Sequence, residues 1–287
     1  MPKIEANGIS LHYLQTGKGP DVVLIHGLGG NLAIWFLQLV GKLKKHFRFT
    51  AYDLRGHGKS EMPSTGYTTF DMAQDLKGML DSLGLERVHI VGHSWGADIA
   101  LHFALLYPER VNKLVVVEPN IAALIEWRKS KDWEGWAYWA ERLAEFGIHV
   151  PKDKWHDVDY MLRQTVNIPI VYGPFKGRPR RQSWLLELLD KSSIVADYEK
   201  VAGMTLDKVE SITSPVLALY GKKSHFRITF EYLRDNVPNC RALLLPDSDH
   251  YGPLENPELI VEHLKNYLLT DQDSTPSPVA PSKTAES

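Results

Sequence analysis

Gly92-His93-Ser94-Trp95-Gly96 stands between two segments of opposite periodicity. Ahead of it, Val88-His89-Ile90-Val91 is an apolar, β-branched run of the kind that fills a buried strand. Behind it, residues 97–106 carry apolar side chains at helical spacing, and Pro108 marks their end. A serine between two glycines at a strand-to-helix junction forms the G-x-S-x-G turn. Cβ atoms at Gly92 and Gly96 would collide with the neighbouring strand or helix, and Ser94 itself is driven into a strained backbone conformation. That strain lifts the serine hydroxyl clear of the sheet and turns the Trp95 N–H to the same side.

Upstream, Ile4 to Gln15 alternates around Asn7-Gly8 and reads as a hairpin. Asp21 to Ile25 is a continuous apolar strand that runs into His26-Gly27-Leu28-Gly29-Gly30. Asn31 to His46 is an amphipathic helix with Trp35, Leu39 and Leu43 on one stripe. Phe47 to Tyr52 is the next strand, followed by Asp53-Leu54-Arg55-Gly56-His57-Gly58-Lys59-Ser60. Thr68 or Thr69 caps a helix to Leu83 that Gly84 stops. Downstream of the serine helix, Lys113 to Val117 is a buried strand ending at Glu118-Pro119. Then come strand 216–220, helix 229–236, strand 241–245, a loop carrying His250 and a closing helix from Pro257 to Leu269.

Strands alternating with helices predict an α/β fold, with a mostly parallel sheet flanked by helices on both faces. Residues 1–119 and 209–270 supply this core. Residues 120–208, which hold Trp127, Trp133, Trp136, Trp139, Trp155 and Trp184 among helical patterns, read as an inserted helical cap. Residues 271–287, rich in Ser, Pro and Thr, read as a disordered tail. Functional groups of such sheets gather beyond the C-terminal strand ends. Leu28, Ser94, Glu118, Ser224 and His250 all fall just after predicted strands.

The bulk properties narrow the classes. The 287 residues, 44% hydrophobic and 24% charged, suffice for one large domain with an insertion. A formal charge of −2 gives no electrostatic reason to expect nucleic acid or an anionic membrane as partner. The single cysteine, Cys240, excludes an internal disulfide and a cysteine-rich metal site. No signal-peptide core or bilayer-length apolar run is present, so a cytoplasmic location is the expectation. Oligomeric state is not legible. The glycines at 27, 29 and 30 match no phosphate-cradling frame, and His89, His93 and His102 straddle a strand, a turn and a helix, so neither cofactor nor metal is expected.

The succession His26-Gly27, Asp53-x-Arg55-Gly56-His57-Gly58-x-Ser60, Gly92-x-Ser94-x-Gly96 and Asp249-His250 resembles the α/β-hydrolase fold family over about residues 4–270. The resemblance implies that Ser94 is a nucleophile and His250 the base that takes its proton. A serine rather than an aspartate at this position argues against the family's dehalogenases and epoxide hydrolases. The loop at His26-Gly27-Leu28 implies an oxyanion hole formed by the N–H groups of Leu28 and Trp95, worth roughly 3 kcal/mol for each preorganised donor. His26, His57 and His93 read as structural.

The triad acid departs from the common pattern. Most members place it in a Gly-x-x-Asp turn, which here reads Gly221-Lys222-Lys223-Ser224. A serine cannot hold an imidazolium through charge. Glu118, at the end of the strand after the serine unit, is the best substitute, and its longer side chain helps it reach His250. Asp247 and Asp249 are poorer candidates. A strand-end Glu118 without a catalytic role is the alternative, and Ser224→Ala is expected to be mild.

The reading that follows is a hydrolase without a cofactor, acting on a small-molecule ester or acyl thioester, with carrier-bound acyl groups included. Trp127, Trp136 and Trp139 either pack the cap or line an acyl pocket. The basic cluster Lys176, Arg178, Arg180 and Arg181 is either a solvated loop or an anion site at the pocket mouth. A C–C bond hydrolase using the same serine and histidine, and a member that binds a ligand without turning it over, remain open.

Overall fold

The computed structural model describes residues 2–124, 133–168, 183–250 and 256–270. Trp127, the basic cluster of 176–181 and residues 271–287 lie outside the described residues. Eight strands form one sheet in the order β1-β2-β4-β3-β5-β6-β7-β8. They are β1 (Lys3–Ala6), β2 (Ile9–Gly17), β3 (Asp21–Ile25), β4 (Arg48–Tyr52), β5 (Val88–His93), β6 (Val111–Val117), β7 (Val216–Gly221) and β8 (Cys240–Leu245). β2 pairs antiparallel with β1 and β4, and every other pairing is parallel.

The side chains of the parallel strands sort by period two onto two faces. Val23, Ile25, Ile90, Val116, Ala218 and Tyr220 join the core on one face. Val22, Leu24, Val91, Val115, Leu217 and Leu219 join the core on the other. The second face is covered by the helical segment α1 (33–43), through Trp35, Leu39 and Leu43, and by the C-terminal helix, through Ile260, Leu264 and Leu268. The first is covered by α2 (Thr69–Ser82) and α3 (Trp95–Leu106). A Thr68–Asp71 capping box starts α2, and Gly84 at φ 65° follows its end.

Several boundaries differ from those the sequence predicts, and two of them have a visible cause. The helix expected over 31–46 occupies only 33–43 and contains a π turn at Phe36–Val40. The turn ahead of it is closed by tighter i→i+3 bonds, Ile34 N to Asn31 O and Trp35 N to Leu32 O, while the free N–H groups of Leu32 and Ala33 are capped by Asp53 Oδ1 and Asn31 Oδ1. α3 begins at Trp95 rather than Ala97, since Ser94 is its N-cap and the Ser94 carbonyl accepts from Ala97 N.

Between β6 and β7 the described residues form helices and loops: α4 (Glu134–Ala144), α5 (Val158–Thr165), α6 (Ser183–Lys191), α7 (Ile194–Tyr198) and α8 (Leu206–Glu210). Ala140, Leu143 and Met161 form a small core between α4 and α5, with Trp139 and Trp155 packed against it. Asp197 of α7 accepts from Tyr67 N at 3.0 Å, and Ser193 N donates to Ser64 O, which ties these helices to the sheet unit. After β7 come α9 (Arg227–Asn236) and, after β8, α10 (Pro257–Leu269). Among the described residues no helix is long and apolar enough to cross a membrane.

Candidate active site

Ser94 has φ 53° and ψ −127°, a conformation that costs a non-glycine residue free energy and persists only where the surroundings enforce it. The enforcement is visible on each side. Ser94 N donates to Val117 O at 2.8 Å, so the turn is stitched to β6. A Cβ at Gly96 would lie 2.4 Å from Ile25 O, and one at Gly92 would lie 2.3 Å from Gly96 O. Only glycines let β5, α3 and β3 approach this closely.

His250, in the loop after β8, reaches back across 156 residues to place Nε2 3.0 Å from Ser94 Oγ. His93 holds this loop from below by donating its Nε2 proton to the His250 carbonyl at 2.9 Å. Burial pushes the His93 imidazole from its ordinary 6.5 down to about 3, with His250 adding to the effect. It is therefore a neutral strut.

Glu118 is fully buried, at φ 56°, and its carboxylate is held on both oxygens. Gly221 N donates to Oε1 at 2.5 Å and Ser224 Oγ donates to Oε2 at 2.5 Å. Oε2 lies 3.6 Å from His250 Nδ1, an ion-pair separation rather than a hydrogen bond. Ser224, in turn, accepts from Phe226 N at 3.0 Å. The usual acid position thus carries a hydroxyl that secures a carboxylate arriving from the next strand. Asp247 is largely exposed and bonds only loosely to Lys223, and Asp249 turns toward α4.

The loop after β3 lies directly against the serine. A Cβ at Gly27 would stand 2.9 Å from Ser94 Cβ. His57 Nε2 accepts from Gly29 N at 3.1 Å while its Nδ1 donates to Arg55 O at 2.8 Å. His26 behaves alike, donating from Nδ1 to Gly27 O and accepting at Nε2 from Leu54 N. Each ring must be neutral to do both. Burial keeps them so: His57 is pushed down to about 3, and His26 is lowered too. Leu28 sits between these anchors. Trp95, the first residue of α3, presents its N–H at a helix N-terminus, where partial positive charge collects. Among the described residues neither of these two N–H groups has an acceptor.

A chain of aromatic rings leads from the helices to His250. Trp136 meets Trp133 edge-on at 5.3 Å, Trp133 lies 5.9 Å from Phe226, and Phe226 lies 5.1 Å from His250. Trp184 stands edge-on to His57 at 5.5 Å, and Tyr198 to Trp95 at 5.5 Å. Trp139 packs both against the small core between α4 and α5 and against the main core of the sheet. His102 bonds Thr69 Oγ1 on the flank of the sheet, apart from His93. Phe226, Tyr138 and Asp98 carry no motif and escape sequence reasoning. Asp98 had one signal, a lone carboxylate on an otherwise apolar helix face.

A sheet with this strand order, a strained serine after its fifth strand and a histidine after its last defines a class of α/β proteins. Residues 20–257 match the family model for the alpha/beta hydrolase fold, and the chain belongs to that family. An epoxide hydrolase of Siraitia grosvenorii is 43% identical over 114 residues, which is 39% of this chain and 36% of that protein. The match to this relative therefore spans little more than a third of its length. A 2-(acetamidomethylene)succinate hydrolase of Mesorhizobium japonicum is 26% identical over 275 residues, 93% of this chain and 94% of its own. Among solved structures, an esterase from Exiguobacterium antarcticum superposes with a TM-score of 0.68 at 25% identity, over 93% of this chain and 99% of that one.

Proposed function

We propose that this protein is a serine hydrolase that cleaves an ester or thioester of a hydrophobic acyl group through an acyl-enzyme. The observation that carries this reading is the 3.0 Å contact between Ser94 Oγ and His250 Nε2 on a strained turn. His250 takes the Ser94 proton as Oγ attacks the substrate carbonyl. The Leu28 and Trp95 N–H groups receive the developing oxyanion, and the imidazolium then protonates the departing alcohol or thiol. Water activated by the same imidazole releases the acid and regenerates Ser94. Glu118 stabilises the imidazolium and fixes which ring nitrogen carries the proton, a role worth up to about four orders of magnitude in rate.

The likeness to an epoxide hydrolase does not carry over to the reaction. Serine attack on an epoxide carbon would form an alkyl ether, which has no carbonyl for a second attack by water. The enzyme would be consumed in one turnover. Attack on an acyl carbon leaves an ester that water can open. The rings of Trp133, Trp136 and Phe226 favour an apolar acyl group on the substrate.

A fluorophosphonate probe tests the reading without knowledge of the substrate. Wild-type protein is expected to be labelled at Ser94, and Ser94→Ala to remain unlabelled. An unlabelled wild type would instead favour a ligand-binding member of the fold. A panel of p-nitrophenyl esters of graded chain length, acyl thioesters, 2-(acetamidomethylene)succinate and a vinylogous diketone then separates ester, thioester and C–C bond cleavage.

A further inference from the structure

Asp249 adjoins His250 in sequence, yet its side chain faces α4. Tyr138 O–H donates to Asp249 Oδ2 at 2.5 Å, and Arg142 Nη1 lies 3.8 Å from the same oxygen. Tyr138 and Arg142 are one helical turn apart, so both face the histidine loop. The Asp249 side chain is only 11% exposed, and a carboxylate that dry is held where it is by its hydrogen bonds. The Tyr138 ring also stacks on His225 at 4.3 Å and 29°, and His225 lies 5.8 Å from the His250 ring.

The histidine loop is therefore clamped between two elements. His93 grips the His250 carbonyl from the sheet, and Tyr138 grips the preceding side chain from α4. We propose that Tyr138 and Asp249 are positioning residues: their bond seats the histidine loop so that His250 Nε2 reaches Ser94. Activation of Ser94 is thereby coupled to the seating of α4 over the sheet. This rests on the reading of Ser94 and His250 as the reacting pair. Neither Tyr138 nor Asp249 touches Ser94 or takes part in proton transfer, so their effect passes wholly through the placement of the imidazole.

The test compares wild type, Tyr138→Phe, Asp249→Ala, Asp249→Asn and the double variant Tyr138→Phe/Asp249→Ala. The readouts are the second-order rate of Ser94 labelling by a p-nitrophenyl phosphonate, and kcat and KM on a p-nitrophenyl ester. Tyr138→Phe and Asp249→Ala are each expected to slow labelling and kcat by about tenfold, the scale of one hydrogen bond, with KM little changed. The double variant is expected to be no slower than the slower single one, because the Tyr138–Asp249 bond is already lost in each single variant. Asp249→Asn, whose carbonyl still accepts from Tyr138, is expected to recover most of the rate. Wild-type labelling with Tyr138→Phe unaffected, or losses that multiply in the double variant, or a change confined to KM, overturns the coupling. Should Asp249→Ala not fold, Tyr138→Phe alone decides. A wild type that does not label overturns the catalytic reading itself, which is a different result.

Discussion

Ser224 Oγ donates to Glu118 Oε2, and that same oxygen is the one 3.6 Å from His250 Nδ1. The hydroxyl and the imidazole thus share one carboxylate oxygen, while Gly221 N occupies the other. Ser224 acts on Glu118 and not on His250.

From this arrangement, Glu118 and Ser224 should separate by readout. Glu118→Gln keeps the shape and a carbonyl for Gly221 N but removes the charge facing His250. Labelling of Ser94 and kcat should fall by about three to four orders of magnitude, with the fold retained. Ser224→Ala leaves the carboxylate anchored by Gly221, so the rate should fall by about tenfold or less. It does strip the buried Phe226 N–H of its acceptor, a loss of about 1–3 kcal/mol in stability. Urea midpoints beside labelling rates distinguish the two. Equal rate losses would remove Glu118 from its special role.

Gly221 links the two halves of the site. Its N–H holds Glu118, and a Cβ there would lie 2.3 Å from Ser248 O, in the loop that carries His250. Lys222 N and Lys223 N donate to Leu245 O and Ser248 O from the same turn. Gly221→Ala must push that loop away, so Ser94 labelling should slow by more than tenfold, and overpacking should cost about 1–3 kcal/mol. A variant with wild-type labelling would mean that the loop yields without moving His250.

Asp98 shows how the strand end bearing Glu118 is fixed. Its Oδ1 accepts from Asn120 N at 2.8 Å and Ile121 N at 2.9 Å, just beyond the left-handed Glu118. Asp98→Asn keeps an oxygen for both donors and should be tolerated. Asp98→Leu orphans two buried N–H groups and should lose about 2–5 kcal/mol, read from urea midpoints. Similar midpoints for the two variants would show that the acceptor is not what matters.

What the sequence reveals here follows from what periodicity can encode. Parallel strands buried on both faces are unbroken apolar runs, so β3, β5, β6 and β7 are legible, and with them the strand ends carrying Leu28, Ser94, Glu118 and Ser224. The meeting of Ser94 and His250 is legible through the resemblance to the α/β-hydrolase fold family, which pairs a serine after the fifth strand with a histidine after the last. The Asp98, Ser224 and Tyr138 bonds join segments 22 to 111 residues apart with no pattern in either partner. The π turn at Phe36–Val40 is hidden for another reason, since Trp35, Leu39 and Leu43 keep one buried stripe whether or not the helix widens.

Acid should destabilise the fold through its buried neutral histidines. His57 and His93 are pushed down to about 3, chiefly by burial, from an ordinary 6.5 that the unfolded chain retains. Between about pH 6.5 and 3 the unfolded state binds protons that the native state refuses. Stability is thus greatest above pH 6.5 and falls as the pH drops, by up to about 1.4 kcal/mol per pH unit for each ring. Protonation of His57 would also leave Nε2 unable to accept from Gly29 N, so the loop bearing Leu28 should loosen with it. Urea midpoints of wild type and His57→Gln between pH 7.5 and 5 check this. The variant is less stable at pH 7.5, where the bonds of the neutral ring are lost. Its decline with falling pH should be shallower by about one proton's slope. Parallel declines would show that the His57 imidazole is not what acid attacks.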